Sequence, residues 1–279
     1  MELVQEIFRE YDIRGIYNEN MDDTTAYLIG KAFGTKLNLL GKKETVVAYD
    51  NRLSSPSLEK NLVRGLIETG INVKRLGLAT TPMCYFATNY YNVNASMMIT
   101  ASHNPKEYNG FKFSYNGIHN AYGKDVKEIY EIIKNGDFAS GNGSIENIDI
   151  ADEYIHLLLD NIKLGDKPIK VVYDCGNGTT SVIAKKVFDN LKVESIPLFD
   201  ISDGTFPNHH PDPCIYENLL SLREKVLEVK ADLGIGYDGD GDRVGIIDNL
   251  GNMIETDKFK TVSVKVVFRR PIEKDKITK

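Results

Sequence analysis

The stretch TVVAYDNRLSSPSLEKNLVRGLIETGINVKRLGL, residues 45–78, decides the architecture. Its β-branched start, 45–50, predicts a strand. Residues 55–70, with a Ser-Pro start and a Gly stop, predict a helix, and VKRLGL (73–78) predicts a second strand. Continuing outward, a short helix begins near Pro82, followed by ASMMIT (95–100), a loop TASHNP (100–105) and a strand FKFS (111–114). The order is βαβαββ. A charged helix near 124–134 precedes GDFASGNGSIEN (136–147), whose Gly, Ser and Asn content reads as a linker.

The same order then returns. ADEYIHLLLDNI (151–162) reads as a helix, IKVVYDC (169–175) as a strand, TTSVIAKKVFDN (179–190) as a helix and KVESIPL (192–198) as a strand. YENLLSLREKVLEVK (216–230) carries apolar residues at helical spacing, and DLGIGYD (232–238) and VGIID (244–248) close the unit. Only the order of elements repeats, not the residues. Each unit places its most unusual loop between its third and fourth strands: TASHNP in the first, DGDGDR (238–243) in the second. In open α/β sheets ligands bind at the carboxyl ends of the strands. Two such ends facing one cleft would bring Ser102 to the acidic loop.

At 279 residues, 42% hydrophobic and 27% charged, the chain is long enough for two ordinary globular domains. A formal net charge of -6 provides no basic footprint for nucleic acid. No apolar run approaches the roughly 18 residues of a membrane span, so a membrane partner is not expected. Cys84, Cys175 and Cys214 lack CxxC spacing, which argues against a disulfide framework or a zinc site and for a reducing, cytoplasmic setting.

In DGDGDR, Asp238, Asp240 and Asp242 would repel one another unless neutralised, and oxygen ligands at this density suit a hard divalent cation. An EF-hand is excluded: its sixth and twelfth positions require Gly and Glu, where this chain has Arg243 and Asn249. Three carboxylates leave room for a phosphate oxygen, the usual arrangement for Mg²⁺ in phosphoryl transfer. Arg243 adds a planar fork for an oxyanion. Ser102 reads as a nucleophile that needs activating partners. DCGNGT (174–179) lacks the lysine and spacing of a P-loop and reads as a strand-to-helix turn.

Three segments, FREYDIRG (8–15), TASHNPKEYNGFK (100–112) and GIGYDGDGDR (234–243), together resemble the α-D-phosphohexomutases, in particular the phosphomannomutase/phosphoglucomutase group. The resemblance implies an α/β fold of two consecutive βαβαββ three-layer α/β/α domains: 1–140 with a phosphoserine loop and 150–257 with a metal-binding loop. Residues 258–279 would then be a divergent tail at the start of a missing third domain, the third and fourth domains being absent and the chain truncated.

By the same resemblance, Ser102 carries a phosphoryl group, and Mg²⁺ is held by Asp238, Asp240, Asp242 and the phosphoserine oxygen of Ser102. His103 and Lys112 assist proton transfer and charge balance. Arg14 and Arg243 steady the phosphoryl group, and Tyr11 lines the substrate cleft with Arg14, Lys112 and Arg243. The implied reaction interconverts glucose or mannose 1-phosphate and 6-phosphate through a hexose bisphosphate, with turnover in doubt for a truncated chain. The alternative is a non-catalytic Mg²⁺ and sugar-phosphate binding module, or a half-enzyme that needs a partner chain to supply the missing domains. The tail, with its β-branched run TVSVKVVFRRP, is expected to be an exposed edge or poorly ordered.

Overall fold

The computed structural model describes residues 3–117 and 119–254. Its first unit runs β1 (Ile13–Ile16), α1 (Asp23–Leu39), β2 (Glu44–Tyr49), α2 (Ser55–Ile67), β3 (Asn72–Leu78), α3 (Thr81–Tyr90), β4 (Ser96–Ile99), β5 (Tyr108–Asn116), β6 (His119–Asn120), α4 (Lys124–Asn135) and β7 (Ile145–Asn147). The strands form one mixed sheet in the order β1-β5-β4-β2-β3-β7, with β6 on the side of β5. The β2, β3, β4 and β7 pairings are parallel, whereas β5 runs antiparallel to β4 and β1. A short turn suffices to join β4 to β5 because they are antiparallel, and that turn is the Ser102 loop.

The second unit runs α5 (Ala151–Asn161), β8 (Lys170–Asp174), α6 (Ala184–Leu191), β9 (Glu194–Leu198), α7 (Leu220–Val229), β10 (Leu233–Tyr237), β11 (Val244–Asp248) and β12 (Met253–Ile254). Its sheet order is β12-β11-β10-β8-β9, parallel across β9-β8-β10 and antiparallel from β10 onward. Again the antiparallel turn, between β10 and β11, carries the unusual loop, here Asp238–Arg243.

Helices cover both faces of each sheet. In the first unit, Ile29, Phe33 and Leu37 of α1, Leu58, Leu62 and Leu66 of α2 and Ile129 of α4 pack on one face with Val47, Met97, Ile99, Phe111 and Phe113. On the other face, Met83, Cys84 and Ala87 of α3 meet Val46, Ala48 and Met98, and this cluster continues into the second unit through Ile150, Ile155 and Ile183. The units therefore share a core. Among the described residues no helix is long and apolar enough to cross a membrane, and all three cysteines are free thiols.

Besides the short strands β1, β6 and β12, which lie in stretches not read as elements, three elements differ from the sequence reading. Helix α1 lies in a stretch not read as an element; Asp22 caps it, accepting from the Thr25 backbone N–H at 2.7 Å. The expected linker 136–147 ends in β7, which extends the sheet by pairing with β3. The helix expected over 179–190 begins as a 3-10 turn, Thr179–Val182, because Thr179 N–H is bound at 2.9 Å to the Gly239 carbonyl of the acidic loop. The expectation for the tail 258–279 falls outside the described residues.

Candidate active site

Ser102 leaves β4 with φ of 52°, a left-handed conformation that costs a non-glycine residue about 1–3 kcal/mol and persists only where neighbours enforce it. The enforcing contacts are visible on each of its polar groups. Its N–H donates to Thr100 Oγ1 at 2.7 Å, its carbonyl accepts from Arg52 Nη2 at 2.8 Å, and its Oγ donates to Asp238 Oδ2 at 2.8 Å. A β-carbon on Gly239 would stand 2.6 Å from the Ser102 carbonyl oxygen, so only glycine lets the two loops meet. The serine is 1% exposed.

The acidic loop closes on itself and on the first unit. Asp238 Oδ1 accepts the N–H groups of Asp242 and Arg243, each at 3.0 Å. Asp240 Oδ2 accepts from Thr81 Oγ1 at 2.7 Å and from Lys112 Nζ at 2.9 Å, while the Asp240 carbonyl accepts Thr81 N–H at 2.9 Å. Thr81 opens α3, so the carboxylate sits at a helix N-terminus, where the peptide dipoles favour negative charge. Lys112 also reaches Asp242 Oδ2 at 2.8 Å. Strand alternation explains its direction: Phe111 and Phe113 point into the core, and Lys112 between them points the other way.

The charges polarise the site. Burial and the neighbouring charges of Asp240 and Asp242 push the Asp238 carboxyl up to about 9. Burial works against ionised Asp240 too, but Lys112 outweighs it and holds that carboxyl well below the usual range. Burial likewise opposes a charged Lys112, yet Asp240 and Asp242 raise its pKa, so this lysine is a fixed cation. His103 is lowered by burial and then by the positive charge of Arg243, which keeps it neutral at pH 7.

Of the other residues expected at the site, Arg14 donates to Asn104 Oδ1 at 2.6 Å and pairs with Asp12, which ties β1 to the serine loop. Arg243 Nε stands 4.0 Å from both Asp238 and Asp242. Tyr11 takes no part in these hydrogen bonds and ion pairs and is 74% exposed. The sequence reading passed over Thr81, Thr100, Asn104, Asp50 and Arg52. Thr80-Thr81-Pro82 carries the signal of a helix start, but nothing local tells that the helix receives a carboxylate from residues 159 positions away. In DCGNGT the N–H groups of Gly176, Asn177, Gly178 and Thr179 all bind acceptors within the chain, leaving none for an anion.

A divalent cation fits this donor set. Ligand atoms of Asp238, Asp240 and Asp242 lie within 4.8 Å of one another. Asp240 Oδ1 is buried with no hydrogen-bond partner, and a buried carboxylate oxygen left unpaired is costly.

Two open α/β/α units that present a strained serine to an acidic loop across their junction define the phosphohexomutase class of fold. Family models for phosphoglucomutase/phosphomannomutase α/β/α domain I and domain II match residues 5–140 and 152–251. The chain belongs to the phosphoglucomutase/phosphomannomutase family. It is 44% identical over 266 residues to a phosphomannomutase/phosphoglucomutase of Pseudomonas aeruginosa, covering 95% of this chain and 57% of that protein. A phosphoglucomutase of Neisseria meningitidis is 39% identical over 270 residues, covering 96% and 58%. A crystal structure of a family protein from Burkholderia thailandensis superposes with a TM-score of 0.89 at 38% identity, covering 94% of this chain and 60% of that one. The chain thus spans somewhat over half the length of these relatives.

Proposed function

We propose that the chain carries the phosphoserine and metal-binding part of a phosphohexomutase, with Ser102 as phosphoryl carrier for glucose and mannose phosphates through a hexose bisphosphate. The observation that carries this reading is the 2.8 Å hydrogen bond from Ser102 Oγ to Asp238, contributed by the other unit. A hydroxyl is a weak nucleophile until a neighbouring group orients it and a base takes its proton.

In the step proposed, a phosphorus–oxygen bond of the bisphosphate breaks as the Oγ–phosphorus bond forms. The Oγ proton passes to the released sugar oxygen by way of His103, whose neutral imidazole takes it up and gives it on from the imidazolium, while Asp238 orients Oγ. Lys112 balances the charges of Asp240 and Asp242. Arg14, through Asn104, and Arg243 steady the phosphoryl oxygens; Tyr11 is the exposed contact at the cleft mouth. Asp238, Asp240, Asp242 and an oxygen on Ser102 would hold Mg²⁺, which when bound would neutralise charge at the transferring group.

Incubation with glucose 1,6-bisphosphate and Mg²⁺ followed by intact-mass spectrometry tests the reading. One added phosphoryl group, absent from Ser102→Ala, is expected. Addition at another residue, or none, refutes it. Coupled assays on glucose 1-phosphate and mannose 1-phosphate separate turnover from the alternative of a module that binds metal and sugar phosphate only.

A further inference from the structure

Arg52 has a role that the acidic loop and the serine motif do not account for. Among the described residues it is the largest side chain buried without any exposure, and it sits just past the carboxyl end of β2. A guanidinium has five N–H donors, and here each has an acceptor. Nε donates to Asp50 Oδ2 at 3.0 Å, Nη1 to the carbonyls of Pro105 (2.6 Å) and Tyr108 (3.0 Å), and Nη2 to those of Ser102 (2.8 Å) and Asn104 (2.7 Å).

Four of the five donors therefore grip the backbone of one loop, from the serine itself to the start of β5. We infer that Arg52 is a positioning residue for phosphoryl transfer, holding the Ser102 loop in its left-handed, attack-ready form. This inference rests on the reading of Ser102 as phosphoryl carrier.

The chemistry favours a specific device over a generic buried charge. Balancing Asp50 takes one cation, which a lysine would supply; binding four carbonyls spread over seven residues takes the flat, forked donor set of arginine. The second unit backs the arrangement, with the Phe206 ring 5.5 Å from the guanidinium carbon. Gly204 leaves no room for a β-carbon against the Asn51 carbonyl, 2.2 Å away. Arg52 is thus held from both sides while it holds the serine. Removing it would leave the φ of 52° enforced only by Thr100 and Asp238.

The test compares the full chain with Arg52→Lys. We expect the variant to fold and, before phosphorylation, to bind Mg²⁺ with affinity within about twofold of the wild type, since the three carboxylates that then hold the ion lie in the other unit. We expect phosphoryl uptake from glucose 1,6-bisphosphate to slow by about 100-fold, the penalty of a nucleophile displaced by about 1 Å. Trypsin should cut after the exposed Lys106, within the gripped loop, faster than in the wild type and without faster cutting elsewhere.

Uptake at the wild-type rate with unchanged cutting at Lys106 overturns the inference. Joint loss of metal affinity and melting temperature also overturns it, because it would indicate a general structural role. If the wild type itself takes up no phosphoryl group, the proposed function falls, and the Lys106 cutting rate alone decides whether Arg52 orders the loop. Should Arg52→Lys not fold, Asp50→Asn keeps the anchor's shape and weakens its hold on Nε. It must then show the same slowing to a lesser degree, and no slowing overturns the inference.

Discussion

At the scale of single residues, the site is a charge balance completed from both units. Asp240 receives Thr81 and Lys112 from the first unit on one oxygen and nothing on the other. Replacing Asp240 with Asn keeps the shape and removes one charge from the ligand set. Calorimetric titration should show Mg²⁺ affinity falling on the order of tenfold, and falling more than that for Ca²⁺ if the site is small and octahedral. Equal losses for the two ions would argue against a tight site.

Lys112→Met separates the lysine's two effects. Without metal, Asp240 and Asp242 lose their cation, and breaking such a buried pairing costs about 3–5 kcal/mol. Added Mg²⁺ should therefore raise the melting temperature of Lys112→Met by more than it raises that of the wild type. A smaller rise would show that the lysine does not stand in for positive charge there. The motif residues of this balance were legible in the sequence, since DGDGDR and NGFK announce charge directly. Thr81 and Arg52 were not, because their partners lie far away along the chain and are in part backbone carbonyls, which leave no trace in residue type.

At the scale of elements, what escaped the sequence was whatever lacked a clean period. Helix α1 buries Thr25, Ala26, Ile29, Gly30, Ala32, Phe33, Gly34, Thr35 and Leu37, positions that run most of the way around it, so no polar stripe marks it as amphipathic. Its small residues serve close contact. A β-carbon on Gly30 would lie 2.2 Å from the Leu62 carbonyl oxygen of α2, and one on Gly65 would lie 2.4 Å from that of Tyr27. Gly30→Ala should destabilise the fold by about 1–3 kcal/mol in urea titration although alanine is the better helix former. A gain in stability would mean that the helices can move apart freely. Strand β7 escaped for the opposite reason: all three of its residues are exposed, and it exists by backbone pairing to β3.

The loop between β9 and α7 carries a pH-dependent contact. His209 Nδ1 lies 3.0 Å from the His210 carbonyl, and Nε2 lies 3.1 and 3.2 Å from the oxygens of Asp174, so both ring nitrogens face acceptors, an arrangement that favours the imidazolium. Burial opposes that charge, but Asp174 and the carbonyl outweigh it, and the pKa is raised above the ordinary value of 6.5. A raised folded-state value stabilises the fold fully below the unfolded value and loses that contribution as pH climbs through the folded one. Unfolding measured from about pH 6 to about pH 8.5 should show stability falling over that range. His209→Gln should flatten the decline and cost on the order of 1.5–3 kcal/mol at the acidic end. An unchanged slope in the variant would assign the decline to other groups.

At the scale of the whole molecule, the two units are joined through a shared core around Ile155 and Ile183, through the meeting of the serine and acidic loops, and through Asn51, which bonds to Thr179, Asn177 and Ser202. Calorimetry should accordingly give one unfolding transition for the chain. Ile155→Ala should lower it by about 2–5 kcal/mol and, if the core is what couples the units, begin to split it. Two transitions in the wild type would mean that the units unfold independently. Element order in the sequence suggested two similar units, but not the core between them, because Ile150 and Ile155 look like the buried face of any helix. One close approach at the junction is Gly239 against the Ser102 carbonyl, and its consequence reaches the gene. Every missense change at codon 239 adds a β-carbon, so the position has no mild alleles: random mutagenesis with selection for function should recover only synonymous codons there, while neighbouring Asp242 and Arg243 yield a graded series.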